Sequence, residues 1–599
     1  MKRLGFILLV LGCVMSVRAD YYGVLVNGTT YFAASYRGMD DMTGTYQEYL
    51  AHVTIAEGDQ FQLCNAEMNE VWAVDLDTWS VEGFERNGDH YVSSVTGCYD
   101  FYIKLKYAQD QLYIGPGTDC GEGEDYATMY VSSVPPLCEA VLMQAFYNES
   151  YRADAPGVAE YGDTKWTTLT AQADEIGRYF DYVWLPPSAY GDGMGYHPKQ
   201  YSNQDSNWGT REELEGLISA LHEAGSKVVA DIVINHCASW STWCDFPEMD
   251  FGEYGQFYPD ETFICSNDEV NAEWNKPTAT NEGSGECWGK ASGSLDDGDN
   301  WDGARDWSHD RVYVQELFKA YLQWMREEMK YDGFRYDKGD GFNNWHHDNY
   351  NHASKPEIAF MESYNGDDRI ISEIEGANRN LMALDFQTKW RAFDGIAAYD
   401  YSKCQGSGLL GRGYSKYAVT FIESHDWFLR PDNDNEFGGR GKSMTPELKD
   451  RLMQANAFLL SMPGVPCVFY PHWNKYKAEL KPMIEARRLA GVHSQSQVYD
   501  ESADTDGYQC TLQGKYGWLV LQLGNKAKPE GWGDAAYKLM VQGNGYCVWV
   551  NREAPIPEVM DGVTDERIRV TGEKFIREGK LYIRVGESVY DGLGRIIEN

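Results

Sequence analysis

Three carboxylates, an arginine and two histidines stand where short apolar runs of this sequence give out. Asp337 closes Gly333-Phe-Arg335-Tyr-Asp337, Glu362 follows Ile358-Ala-Phe-Met, and His425-Asp426 follows Ala418-Val-Thr-Phe-Ile. A fourth run, Lys227-Val-Val-Ala-Asp-Ile-Val-Ile, leads into Asn235-His236. An acid at a strand end is commonly a turn or helix cap, so no single one of these carries an argument. Their joint appearance suits cleavage of a glycosidic bond, which needs two flanking carboxylates, one ionised and one protonated. Arg335 lies two residues before Asp337 and points the same way by strand alternation. Its charge is expected to hold the Asp337 pKa down. The acid needs a raised pKa, which an aromatic, partly desolvated cleft supplies.

Such residues meet only if the runs belong to one barrel. From about 139 to 485, short apolar runs alternate with amphipathic helices, which predicts a parallel (β/α)8 barrel with its chemistry at the C-terminal strand ends. One helix is signed by the capping box Thr210-Arg-Glu-Glu213 and the stop Gly225, and another runs from Val312 to Met329. Residues 237–302 are polar, aromatic and too long for an ordinary loop, and read as a subdomain inserted after the third strand. Residues 20–118 alternate as β-strands and predict a β-sandwich, with 119–138 as a linker. Residues 486–552 predict an antiparallel β-domain, and 553–599 a short β-rich tail.

The chain has 599 residues and a formal charge of −40, which disfavours nucleic acid and anionic membranes as partners. Its 42 Tyr and 19 Trp suit sugar faces and Tyr-rich sheets alike. Residues 1–19 read as a signal peptide, with Lys2-Arg3, an apolar run from Leu4 to Val14, and Val17-Arg18-Ala19 before the cut. That implies a secreted, extracellular or periplasmic protein. Val10-Leu-Gly-Cys13 loosely resembles a lipoprotein site, which would tether the chain through Cys13. No later segment reads as transmembrane. Of the 13 cysteines, 12 remain without Cys13, an even number that permits disulfides. Cys237/Cys244 and Cys265/Cys287 are local pairing candidates. No heptad or apolar stripe argues for an oligomer, so a monomer is expected.

The motifs Asp231-Ile-Val-Ile-Asn-His236, Gly333-Phe-Arg-Tyr-Asp337 and Phe421-Ile-Glu-Ser-His-Asp426 together resemble the α-amylase family of glycoside hydrolases. Gly195-Tyr-His-Pro198 and Met462-Pro-Gly-Val-Pro-Cys-Val-Phe-Tyr470 match it as well, the former as in the plant and related bacterial branch. The resemblance covers about 140 to 550. It implies endo-hydrolysis of α-1,4 bonds in starch, glycogen or maltooligosaccharides by a retaining mechanism. Asp337 then matches the nucleophile, Asp426 the transition-state stabiliser, and Arg335 the arginine that orients the nucleophile. His236 and His425 match the hydroxyl-binding histidines, and Tyr196 the aromatic platform. Two glutamates compete as acid/base. Ser372-Glu373-Ile374 superficially resembles the family motif, but Glu362 lies one helix and one strand beyond Asp337, and Met382-Ala-Leu-Asp-Phe386 then falls in register. Glu362 is therefore preferred, with Glu373 on a solvated face of the next helix or loop.

The resemblance also implies Ca2+ between barrel and insert. Asn235, Asp306 and the Gly341 carbonyl are the expected ligands, and Asp302 is a further one. Two positions depart from the family. Asp340 stands where a lysine is common, with Lys338 beside the nucleophile instead, and Ser424 replaces the usual Asn before His425. Asp340 is expected at the cleft rim or in solvent. The N-terminal domain loosely resembles starch-binding modules of gut bacterial amylases, with Trp72, Trp79, Tyr99 and Tyr102 as candidate platforms. The alternatives are another specificity on the same scaffold (debranching, maltogenic or transglycosylating) and a catalytically silent glucan-binding protein.

Overall fold

The structure is a computed structural model that describes residues 22–39, 47–65, 70–74, 76, 80–105, 111–117, 120–121, 123–125, 132–299, 301–428, 446–533 and 535–551. It also describes the backbone of 573–577, 580–585, 588–591 and 596–598. The signal-like segment with Cys13, Trp79 and the side chain of Trp72 lie outside the described residues.

Eight short strands close a parallel barrel: β1 (Leu142–Gln144), β2 (Tyr182–Trp184), β3 (Lys227–Ile232), β4 (Gly333–Tyr336), β5 (Ile358–Met361), β6 (Met382–Leu384), β7 (Ala418–Phe421) and β8 (Val465–Phe469). Strands buried on both faces read as continuous apolar runs, which is why these segments stood out in the sequence. Every residue of β4, β5 and β7 is buried. Helix α1 (Arg211–Ala224) begins at the reciprocal cap between Thr210 and Glu213 and ends at Gly225, whose φ of 93° needs a residue without Cβ. Helix α2 (Val312–Glu327) buries Val314, Leu317, Phe318, Tyr321, Leu322 and Met325. Helices α3 (Trp345–Ser354) and α4 (Asp367–Gly376) follow β4 and β5.

The N-terminal strands form one 10-stranded antiparallel sheet rather than two separate sheets, with eight strands on one path and two paired off it. The long strand Thr30–Met39 pairs with Tyr22–Val26 through its first half and with Gln47–Ile55 through its second, which joins the two layers. They enclose a core of Val24, Phe61, Phe101 and Ile103. Tyr99 packs on Phe84, and Tyr102 faces Tyr113 across neighbouring strands at 5.5 Å. The end of the expected linker is docked: Ser133 accepts from Ala359 N and donates its own N–H to Asn380 Oδ1.

Between β3 and β4, residues 237–302 hold two-residue strands and single 3-10 turns instead of a regular fold. A disulfide joins Cys244 to Cys287, and another joins Cys98 to Cys120. This corrects the local pairings Cys237/Cys244 and Cys265/Cys287. The Cys237 thiol turns to the Pro198 carbonyl and Cys265 to that of Trp307, so both stay buried and free.

Helix α5 (Pro446–Ser461) precedes β8, and α6 (Tyr470–Ala490) follows it. The C-terminal domain begins after 490 rather than at 486, because α6 continues to the left-handed cap Gly491. Five antiparallel strands between Gln497 and Asn551 then pack on α5 and α6. The tail forms a separate four-stranded sheet, Glu573–Glu598. Among the described residues, no helix is long and apolar enough to cross a membrane.

Arg487 of α6 has no exposed surface and donates to the carbonyls of Leu460, Met462 and Gly464 at 3.2, 2.7 and 2.8 Å, which ties α6 to the turn into β8. Replacing Arg487 by Leu strands those carbonyls and should lower stability by about 3 kcal/mol, read as a shift of the urea midpoint. A loss below about 1 kcal/mol would mean that water takes the place of the guanidinium.

Candidate active site

The barrel register sets the site. Asp231 on β3 lies opposite Arg335 on β4, and β5 delivers Glu362 just past Met361. Arg335 is fully buried. Its Nη1 donates to Asp231 Oδ1 at 2.7 Å and to Asp337 Oδ1 at 2.8 Å. Its Nη2 lies 2.7 Å from Glu362 Oε2, an ion contact whose angle falls short of a hydrogen bond. One guanidinium thus serves three carboxylates, with the rings of Trp184 and Tyr196 against it at 5.2 and 5.9 Å.

Asp426, from the loop after β7, accepts from Tyr364 OH at 3.0 Å and lies 3.5 Å from His425 Nε2. Gln144 donates to His425 Nδ1 at 2.8 Å, so the ring carries its hydrogen on Nε2, facing Asp426. Tyr196 stacks on His425 with centroids 4.9 Å apart and donates its hydroxyl to Asp231 Oδ2 at 2.8 Å. His236 Nε2 donates to the Tyr196 carbonyl at 2.9 Å, and burial lowers its pKa to about 3, so it is neutral. Asp337, Glu362, Asp426, Tyr196, His236, Arg335 and His425 therefore surround one rim. Sequence reasoning gave no role to Asp231, Gln144, Trp184 or Tyr364. Their signal is cross-strand register, which the linear text does not display.

Burial dominates the electrostatics. It raises Glu362 to about 8, with Arg335 opposing and the charges of Asp426 and Asp337 adding to the rise. Asp337 rises to about 6 by burial, with Arg335 opposing and Asp231 and Asp426 adding. Arg335 thus pulls Asp337 down as expected, but burial outweighs it and the net shift is upward. A cation divided among three carboxylates does not outweigh the desolvation of each. Glu362 nevertheless stands above Asp337, the order that cleavage by an acid and a nucleophile needs.

Two further expectations change. Glu373 lies on α4, not on a solvated face: it is 1% exposed and accepts from Arg369 Nε at 2.7 Å, away from the rim. Asp340 is buried rather than solvated, held by Lys338 Nζ at 2.8 Å and Asn365 Nδ2 at 2.9 Å. Lys338 itself takes φ 47°, a conformation that favours glycine, and its N–H turns toward Glu362 Oε2 at 3.4 Å. Ser424 caps the turn by accepting from Asp426 N at 3.3 Å.

Behind the rim, the two-residue strands His236–Cys237 and Arg305–Asp306 pair, which sets Asn235 beside Asp306. Asn235 Nδ2 lies 3.2 Å from Asp306 Oδ1, and its Oδ1 abuts the α-carbon of Gly341, where a Cβ would collide. Asp306 is pushed up to about 9 by burial and then by the charges of Asp268 and Asp296. Its Oδ2 and that of Asp296 are buried without a hydrogen-bond partner. Unsatisfied, mutually repelling oxygens of this kind fit a hard divalent cation. Asp302 is exposed, and its charge acts on Asp268 instead. Asp296 is the acid that sequence reasoning missed.

The family model for the α-amylase catalytic domain matches residues 175–364. Chloroplastic α-amylase 3 of Arabidopsis thaliana is 28% identical over 405 residues, 64% of this chain and 42% of that protein. The chain thus spans under half the length of that relative. Probable α-amylase 2 of the same plant is 25% identical over 435 residues, 68% of this chain and 93% of it. The type B α-amylase isozyme of Hordeum vulgare is 30% identical over 134 residues, 22% of this chain and 78% of it. Among solved structures, an α-amylase from Geobacillus thermoleovorans complexed with acarbose is 15% identical, with a TM-score of 0.49, over 70% of this chain and 97% of that one. With the barrel closed and its rim occupied as described, the family match makes this chain a member of the α-amylase family of glycoside hydrolases.

Proposed function

We propose that the chain hydrolyses internal α-1,4 bonds of starch, glycogen or maltooligosaccharides with retention at the anomeric carbon. The observation that carries this reading is the sharing of one buried guanidinium by Asp337 and Glu362, with Glu362 the higher in pKa. That sharing keeps the two acids close, as a retaining pair roughly 5–5.5 Å apart requires. Glu362 gives its proton to the glycosidic oxygen as that bond breaks, and the Asp337 carboxylate forms an ester to the anomeric carbon. Glu362, now ionised, takes a proton from water as the water oxygen displaces Asp337. Asp426, fixed by Tyr364, sits beside the developing positive charge. His425, His236 and Tyr196 hold the hydroxyls and the face of the same sugar.

Asn235, Asp306, Asp296 and the Gly341 carbonyl would hold the calcium ion, with Asp302 as an outer acid. When bound, the ion supplies the positive charge that these oxygens lack and braces the insert against β3. The tyrosine pair Tyr102 and Tyr113 on the N-terminal sheet is a tethering surface for long polymer. Export to an oxidising compartment is supported by the disulfides Cys98–Cys120 and Cys244–Cys287. A monomer remains the expected state.

The test is release of reducing ends from soluble starch. Glu362→Gln should lower kcat about 1,000-fold. Glu373→Gln should keep kcat and lose about 1 kcal/mol of stability as its bond to Arg369 weakens. If Glu373→Gln is the dead variant, the acid is misassigned. Amylose cut internally, with pullulan left intact, supports the linkage preference. Starch bound without any reducing ends released would replace hydrolysis with simple glucan binding.

Activity should follow a bell in kcat/KM with limbs near 6 and 8. Below the lower limb Asp337 takes up a proton and stops attacking. Above the upper limb Glu362 loses the proton it must donate. An alkaline limb that survives in Glu362→Gln contradicts that assignment. Calcium at a hundredfold its Kd should add about 2.7 kcal/mol of stability. Chelation should remove that gain in the parent and change nothing in Asp306→Asn, read by thermal unfolding.

A further inference from the structure

A second cluster of ligating groups lies outside the rim and outside the oxygens around Asp306. Asp297 comes from the end of the insert, Asp310 from the approach to α2, and His346 from the first turn of α3. His346 Nε2 is 3.0 Å from Asp297 Oδ2 and 3.8 Å from Asp310 Oδ1, and the three ligating atoms lie within 4.8 Å of one another. The imidazole has no exposed surface, and its Nδ1 has no hydrogen-bond partner among the described residues. The ring packs against Trp345 and His309, with centroids 3.8 and 5.4 Å away. His309 is no competitor, since its nitrogens are committed to Tyr350 OH and the Ile234 carbonyl. The other Asp297 oxygen accepts from Asn343 N at 3.1 Å, which orients the carboxylate. The Asp310 side chain is 48% exposed, which leaves the notch a way in from solvent.

We propose that Asp297, Asp310 and His346 bind a divalent transition-metal ion, zinc above all. Two carboxylates converge on a buried imidazole nitrogen. A nitrogen ligand selects zinc over calcium, which prefers oxygen alone. Binding replaces the proton on Nε2 by the ion, and that proton leaves to solvent. Water completes the coordination on the open side of Asp310. The ion fastens the insert to the helix that follows the β4 strand. The proposal rests on this geometry and does not depend on the glucan-cleaving reading.

The full chain, saturated with calcium and stripped of transition metals, is titrated with zinc chloride by calorimetry. One zinc should bind, and cobalt should give the visible absorption of a nitrogen-ligated ion. His346→Gln and Asp310→Asn should each weaken zinc binding at least tenfold. Asp310→Asn, at a half-exposed position, should unfold at the parent's temperature without zinc and lose the rise that zinc gives the parent. No zinc uptake by the parent, or parent-like binding in both variants, would each overturn the proposal.

Discussion

Much of the barrel mouth depends on the burial of Arg335. Its guanidinium, which has no exposed surface, touches carboxylates from β3, from the end of β4 and from the end of β5. Charges withdrawn from water cost several kcal/mol each unless they are paired. The three strands must therefore keep their register, because a slip of one residue would turn Arg335 or Asp231 out of the mouth. The geometry of the candidate site and fold specificity are set by the same contact.

A rigid frame surrounds that contact. Trp184 Nε1 and Tyr196 OH both donate to Asp231, Gln144 fixes the His425 tautomer, and Tyr364 holds Asp426. Most of these groups come from a different strand or loop. The site is the sum of strand ends, which explains how several weak features of the sequence converge on one rim.

The strand ends were legible because a buried parallel strand is a short apolar run with a polar residue at its close. Asp337, Glu362 and Asp426 could be named for that reason, and the spacing to Met382 favoured Glu362 over Glu373. What could not be read was whatever depends on a neighbour from elsewhere in the chain. Asp340 is paired with Lys338 and accepts from Asn365, and Glu373 accepts from Arg369. The direction of the Asp337 shift was misread because the sequence shows one arginine next to one acid, whereas the barrel brings three acids to it. The same holds for Cys244 and Cys287, whose meeting is decided by the path of an irregular insert.

A mouth that assembles Asp231, Asp337, Glu362 and Asp426 around a single arginine carries more negative than positive charge whenever most of those acids are ionised. An uncharged polyhydroxyl chain enters without opposing that field. A chain carrying phosphate or carboxyl groups meets repulsion at the same place. Neutrality of whatever enters the mouth is then a built-in filter, set by the count of charges rather than by the shape of the groove.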